Sequence, residues 1–272
     1  MQNQVDQIAS ALGALPELSP ETHQELARLS NPPYFPLPKV KSCHAFLEEC
    51  RLGNAHGRIV GDSGVGKTVA VKAYAKRLTQ ISGDQGALYV LLDPNCSPKS
   101  FYENILRALG FSYTKGSIKD LRNRACQVLS SRQIRVLLLD EASFLKRDAL
   151  GELLYLEQSD AVPSIFLIGT DRLDALLGPN EEQVNRRYPR YQYGRVSNAE
   201  LKQLVELWET KVLCLPVKSN LTSKRPMNLL ISATSGCIGK MDEILRRAAR
   251  KALILGESKV TYEILQEVAG QF

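Results

Sequence analysis

The chain has 272 residues, with 35 Lys and Arg against 29 Asp and Glu, for a formal net charge of +6. Apolar residues at 44% and charged residues at 24% describe an ordinary globular chain of one or two domains, long enough to build cores without disulfides or a structural metal. That composition excludes disordered, collagen-like and disulfide-scaffold classes. No run approaches the roughly 18 apolar residues of a membrane span. The opening Met1-Gln2-Asn3-Gln4-Val5-Asp6 lacks the basic start and apolar stretch of a signal peptide. The six cysteines form no CxxC pair and the three histidines show no metal-ligand spacing. A cytoplasmic protein with reduced thiols and no membrane contact is expected. The positive charge is compatible with nucleic acid but does not by itself establish it.

Residues 1–30 read as helices broken at Pro16 and Pro20, with Ser19 as N-cap and Pro20 at the first helical position. Asn31 to Pro38 contains four prolines in eight residues, which predicts an extended linker. A helix is expected from about Val40 to Arg51. From His56 the pattern turns α/β. Arg58-Ile59-Val60 is a short strand running into a glycine loop, Val65–Leu78 a helix and Ala87–Asp93 a strand. Ser97-Pro98 opens a helix with Phe101, Ile105 and Leu109 on one face, and Ser117-Ile118-Lys119-Asp120 opens another as a capping-box variant. Val136–Asp140 and Ile165–Gly169 are two further apolar strands. Near-continuous apolar strands alternating with helices indicate a parallel sheet covered on both faces. After about Arg195 the strands stop. Ser197-Asn198-Ala199-Glu200 caps a helix through Trp208, Met241–Leu255 carries an apolar stripe, and a last helix follows. The expected fold is thus an N-terminal helical extension with a Pro-rich linker (1–38), an α/β core (39–195) and a small all-helical lid (196–272).

Gly61-Asp62-Ser63-Gly64-Val65-Gly66-Lys67-Thr68 satisfies G-x-x-x-x-G-K-[ST] between a predicted strand and a predicted helix, the context that distinguishes a P-loop from a plain glycine turn. The glycines let backbone N–H groups turn onto phosphate oxygens, and the helix N-terminus adds its dipole. Lys67 would reach the β- and γ-phosphates of ATP, and Thr68 would hold Mg2+. Leu137-Leu138-Leu139-Asp140-Glu141 is an apolar strand ending in two carboxylates. Asp140 would orient Mg2+ and its waters, and Glu141 would act as the base that activates the attacking water. Thr170, at the end of the next strand, could report on the γ-phosphate or cap the helix begun by Asp171. Arg186 and Arg187 could complement a helix C-terminus or reach a neighbouring subunit's nucleotide. Arg187 is the favoured finger and Arg186 the alternative.

In this order of motifs the chain resembles AAA+ ATPases: P-loop, Asp-Glu strand end, polar residue on the following strand, arginine, helical lid. The segments Gly169–Asp174, Leu215–Leu221 and Ile238–Leu245 are similar to the TniB/TnsC transposition ATPases, most of all to the short TnsC of type V-K CRISPR-associated transposons. The lid run Gly239-Lys240-Met241-Asp242 departs from the G-x-x-R setting of many AAA+ lids, so the second sensor role is vacant or falls to Lys240 or a later arginine. The resemblance implies an AAA+ ATP hydrolase that assembles with ATP as a homo-oligomeric helical filament or ring on double-stranded DNA. Its implied partners are the transposase TnsB, TniQ and an RNA-guided Cas effector, and hydrolysis would accompany disassembly. It also implies DNA contacts from the loops 94–99 and 112–117, where Lys99, Lys115 and Ser117 suit phosphate. A solvated lysine and an ordinary N-cap serine are the plainer readings of either loop alone. The competing function is a helicase-loader-like ATPase. A small-molecule kinase lacks an evident acceptor site, and Glu141 argues against a scaffold that only binds ATP.

Overall fold

A computed structural model describes residues 18–31, 34–82, 86–112, 115–159, 161–178 and 181–272. The helix expected before Pro16 lies outside these residues. In chain order the principal elements are α1 (Pro20–Ser30), α2 (Pro38–Leu52), β1 (Gly57–Val60), α3 (Lys67–Ser82), β2 (Ala87–Leu91), α4 (Pro98–Ala108), α5 (Ile118–Ser131), β3 (Val136–Asp140), α6 (Ala149–Gln158), β4 (Ser164–Gly169), α7 (Arg172–Leu177), α8 (Glu181–Arg187), β5 (Arg190–Gln192), α9 (Asn198–Trp208), α10 (Lys224–Thr234), α11 (Ile238–Ile254) and α12 (Tyr262–Ala269). They divide into two compact units, Pro36–Gly194 and a second made of the described residues up to Phe35 together with Arg195–Phe272.

The first unit is built on a five-stranded sheet in the order β2-β3-β4-β1-β5, with every pairing parallel. Alternate residues of each strand feed opposite faces. On one face Val60, Leu137, Leu139, Ile165 and Leu167 pack with side chains of α4, α5 and α6. On the other, Ile59, Val136, Leu138, Phe166 and Ile168 pack with side chains of α2 and α3. Burial of both faces is why β3 and β4 read as unbroken apolar runs. β2 is an edge strand instead, ending at Leu91, which is exposed, rather than at Asp93. α2 starts at Pro38 because proline is tolerated at the first helical position. Ser97 with Ser100, and Ser117 with Asp120, form reciprocal capping boxes at the starts of α4 and α5.

In the second unit α1 is an integral member, not a separate extension. Leu29 is fully buried. Arg28 donates from Nη1 to the Val212 carbonyl at 2.5 Å and from Nη2 to that of Leu213 at 2.6 Å, at the end of a π turn over Glu209–Leu213. Arg246 Nη1 donates to the Leu29 carbonyl at 3.2 Å, and the Phe35 ring lies 5.8 Å from that of Trp208. Ser197 and Glu200 close the capping box of α9, and Met241, Ile244, Leu245, Ala248 and Ala252 form the buried stripe of α11. All six cysteines are free thiols. Among the described residues no helix is long and apolar enough to cross a membrane.

Candidate nucleotide site

The C-terminal ends of β1, β3 and β4 converge where the chain leaves the sheet. β1 passes into Gly61–Gly66 and α3 begins at Lys67, two residues later than the apolar pattern suggests. Gly66 sits at φ +102°, a conformation open to glycine and strained for other residues. A Cβ on Gly61 would collide with the carbonyl of Tyr193. These constraints allow the loop to lie against Tyr193, the residue after β5.

Lys67 lies inside this turn. Its ammonium donates to the carbonyls of Gly61 at 2.8 Å and Asp62 at 2.7 Å. An ammonium has three donors, so a third is available to a phosphate oxygen. Burial lowers the Lys67 pKa, and the carboxylates of Glu141, Asp140, Asp62 and Asp171 pull against that shift. The carboxylates of Asp140 and Glu141 therefore act electrostatically on the P-loop lysine.

Asp140 is 1% exposed. Its Oδ2 accepts from the Thr68 hydroxyl at 2.7 Å and from the Tyr89 hydroxyl at 2.8 Å, and its Oδ1 accepts from the Glu141 backbone N–H at 2.9 Å. Three donors onto a buried carboxylate hold it in one rotamer. Burial and the hydrogen bond to Asp140 push the Tyr89 phenol well above its usual range, which keeps it protonated as a donor. Tyr89 is the functional residue that sequence reasoning missed. Its available signal was a single hydroxyl in the aliphatic strand Ala-Leu-Tyr-Val-Leu. Glu141 itself is left-handed, at φ 58° and ψ 35°, a conformation costly outside glycine and frequent at functional sites.

Thr170 follows β4, and its hydroxyl lies 3.3 Å from that of Ser143, which also accepts from the Thr170 N–H at 2.9 Å. The N-cap of α7 is Asp171, with no side-chain capping bond, so capping does not occupy the Thr170 hydroxyl. Arg187 donates from Nε to Glu157 at 2.7 Å, and Arg186 pairs with Glu182 at 3.1 Å while remaining 80% exposed. Glu157 also accepts from the Tyr188 hydroxyl; burial raises its pKa and Arg187 opposes that rise. The arginine helix borders an apolar hollow of about 660 Å3 floored by Leu150, Leu153, Leu154 and Leu177.

The remaining expected residues lie elsewhere. Lys99 pairs with Glu103 at 3.9 Å along α4. The Ser117 hydroxyl is engaged with Asp120 in its capping box. Lys115 precedes α5, and Tyr113 and Thr114 of the same loop lie outside the described residues. Lys240, in the second unit, donates to the Phe272 carbonyl at 3.2 Å.

The residues fit Mg2+: a threonine hydroxyl and a carboxylate, both hard oxygen donors, are already in contact at the helix start. Residues 51–177 match the model of the AAA domain family. No curated protein matches the chain in sequence. Among solved structures it is similar to the Aeropyrum pernix ORC2 protein in its ADPNP-ADP complexes, at 15% identity and TM-score 0.63, covering 89% of this chain and 69% of that one. It is also similar to the Aeropyrum pernix ORC1 protein in complex with DNA, at 18% identity and TM-score 0.65, covering 94% and 66%. A third likeness is to Cdc6p from Pyrobaculum aerophilum, at 16% identity and TM-score 0.63, covering 94% and 68%. With the P-loop, Thr68, Asp140 and Glu141 gathered at one end of the sheet, the chain carries an AAA+ P-loop ATPase domain.

Proposed function

We propose that this ATPase is a regulator of DNA transposition that assembles with ATP on double-stranded target DNA and links target-selection factors to a transposase. The observation that carries the ATPase half is the Asp140 carboxylate, held by Thr68, Tyr89 and the Glu141 backbone beside Lys67. The DNA half is supported by the net charge of +6 and by the resemblance of residues 169–174, 215–221 and 238–245 to TniB/TnsC proteins. TniQ, an RNA-guided effector and the transposase TnsB are the partners this reading assigns.

The chemistry follows from the residues. P-loop N–H groups and Lys67 bind the phosphates and spread their charge. Thr68 and Asp140 would hold Mg2+, which when bound would neutralise phosphate charge. Glu141 orients a water in line with the γ-phosphorus and takes its proton. Thr170, beside Ser143, registers the γ-phosphate. Arg187, with Arg186 as the alternative, completes a neighbouring subunit's site, so hydrolysis requires assembly. Lys240 is the second sensor candidate. Lys99, Lys115 and Ser117 face the DNA backbone and read no sequence.

The likeness to ORC and Cdc6 structures favours a second reading, a loader-like role in replication. Binding to duplex and to single strands, with ATP, with ADP and without nucleotide at fixed salt, separates the two. ATP-dependent, cooperative, sequence-independent duplex binding is expected. A single-strand preference favours the loader reading, and no DNA binding in any state overturns both.

A further inference from the structure

Arg58 is the second residue of β1, three positions before the P-loop begins, and it is 1% exposed. A buried guanidinium is retained only where its donors find partners. Here Nε donates to Asp174 Oδ1 at 2.6 Å and Nη2 to Asn185 Oδ1 at 2.7 Å. Nη1 donates to the Tyr188 carbonyl and lies 3.5 Å from that of Val184. The Arg58 backbone N–H donates to the Pro189 carbonyl at 2.9 Å. Side chain and backbone of one residue thus grip the C-terminal end of α8 and the turn that follows it.

α8 needs such a grip. It has seven residues, far short of a self-supporting helix, and none of residues 182–187 is buried. No side chain of residues 182–187 anchors it in the core, so its orientation is set at its C-terminal end, by Tyr188, which is buried in the core, and by the polar contacts of Arg58. A guanidinium at the negative end of a helix, with its fork of donors shared among a carboxylate, an amide oxygen and backbone carbonyls, is suited to the task. The same turn carries Arg186, exposed and paired with Glu182, and Arg187, paired with Glu157.

We propose that Arg58 is a positioning residue for the arginine pair: it fixes the last turn of α8 to the P-loop strand, so that an arginine is presented to the next subunit at a set distance and angle. This rests on the reading above that the pair acts on a neighbouring subunit's nucleotide.

The test is complementation between full-length subunits. The reference pair mixes Arg187→Ala, which binds ATP but offers no arginine, with Lys67→Ala, which offers the arginine but binds no ATP. Hydrolysis should recover. Replacing the donor by the double variant Lys67→Ala, Arg58→Lys should cut that recovery at least tenfold, because lysine keeps the charge but cannot make the fork. Asn185→Ala, at an exposed site on α8, should weaken the donor in the same direction without touching the strand. As an acceptor, Arg58→Lys mixed with Lys67→Ala should bind ATP with unchanged affinity and hydrolyse it at the wild-type rate per site. Full rescue by the Arg58→Lys donor overturns the proposal. So does loss of ATP binding by the Arg58→Lys acceptor, which would reduce Arg58 to a support of the P-loop strand. Absence of recovery in the reference pair overturns the trans arginine itself, and with it the purpose assigned to Arg58.

Discussion

Replacing Tyr89 by Phe isolates one hydroxyl. The ring stays, and with it the Lys72 ammonium 4.8 Å from its centroid. Only the donor to Asp140 Oδ2 is lost, leaving Thr68 and the Glu141 N–H on that carboxylate. A hydrogen bond to a charged group contributes about 1.5–3 kcal/mol, and two surviving donors place this one near the lower end. At roughly 2–4 °C per kcal/mol for a unit of this size, thermal unfolding should fall by about 3–8 °C. The freed carboxylate also samples rotamers that do not face Thr68. If half of the lost energy falls on that alignment, turnover drops about three- to fivefold, since about 1.4 kcal/mol is a factor of ten. ATP affinity should change by less than about twofold, because Lys67 and the loop carbonyls do not involve Tyr89. Because the phenol is held protonated, the difference between wild type and Tyr89→Phe should persist across neutral and mildly alkaline pH. Scanning calorimetry and steady-state ATPase assays read both quantities. Unchanged melting and unchanged turnover would refute the assignment of Tyr89 as a holder of Asp140.

Lys67→Ala should abolish tight ATP binding, whereas Glu141→Gln should bind ATP and barely turn it over; nucleotide titration and ATPase assays distinguish them, and equal ATP affinity in wild type and Lys67→Ala removes the basis of the site. His56 Nδ1 accepts from the Ile165 N–H at 3.2 Å, which requires a neutral ring, and burial lowers its pKa below the unfolded 6.5. The unfolded chain therefore binds the proton first, so the contribution of His56 to stability should be fully present above pH 6.5 and be lost as pH drops from 6.5 to the lowered folded value; His56→Gln should make the decline in melts across that range shallower. Lys99→Ala and Lys115→Ala should each flatten the log-affinity against log-salt slope for duplex DNA by about one unit, equally on any sequence. Ser117→Ala should cost about 1 kcal/mol of thermal stability through its capping box, and a loss of DNA affinity without that destabilisation would assign the hydroxyl to phosphate instead.

What the sequence made legible was what its local chemistry determines. The P-loop occupies eight consecutive residues, and Asp140-Glu141 closes an apolar strand buried on both faces, a weak signal alone and a strong one downstream of a P-loop. The capping boxes at Ser117 and Ser197 are four-residue signals and appear where expected. β5 was illegible because Arg190-Tyr191-Gln192 is short and polar; it exists because β1 otherwise has an unpaired edge. α6 had a readable signal in Ala149, Leu153 and Leu156 at helical spacing, but Asp148 makes no side-chain cap to announce it. The place of α1 in the second unit depends on Arg28 meeting carbonyls 184 and 185 residues away, which no local pattern encodes.

Two of the polar residues that complete the site, Tyr89 and Arg58, sit where an apolar residue would satisfy the strand pattern, and a third, Ser143, sits in the turn after β3. Tyr89 lies in an aliphatic strand and Arg58 in a strand buried at every position. Read locally, Tyr89 and Arg58 are noise in a hydrophobic run and Ser143 an ordinary turn serine. In the fold, each spends a polar group behind a catalytic candidate: Tyr89 behind Asp140, Ser143 behind Thr170, Arg58 behind the helix that carries Arg186 and Arg187. A polar group buried in a sheet is costly unless it is bonded, and its partners are fixed by strand order, not by sequence distance. The order β2-β3-β4-β1-β5 brings Tyr89 beside Asp140 and Arg58 beside the turn into β5. Interruptions of an apolar strand upstream of a P-loop or an acidic strand end are therefore where supporting residues of such a site should be sought.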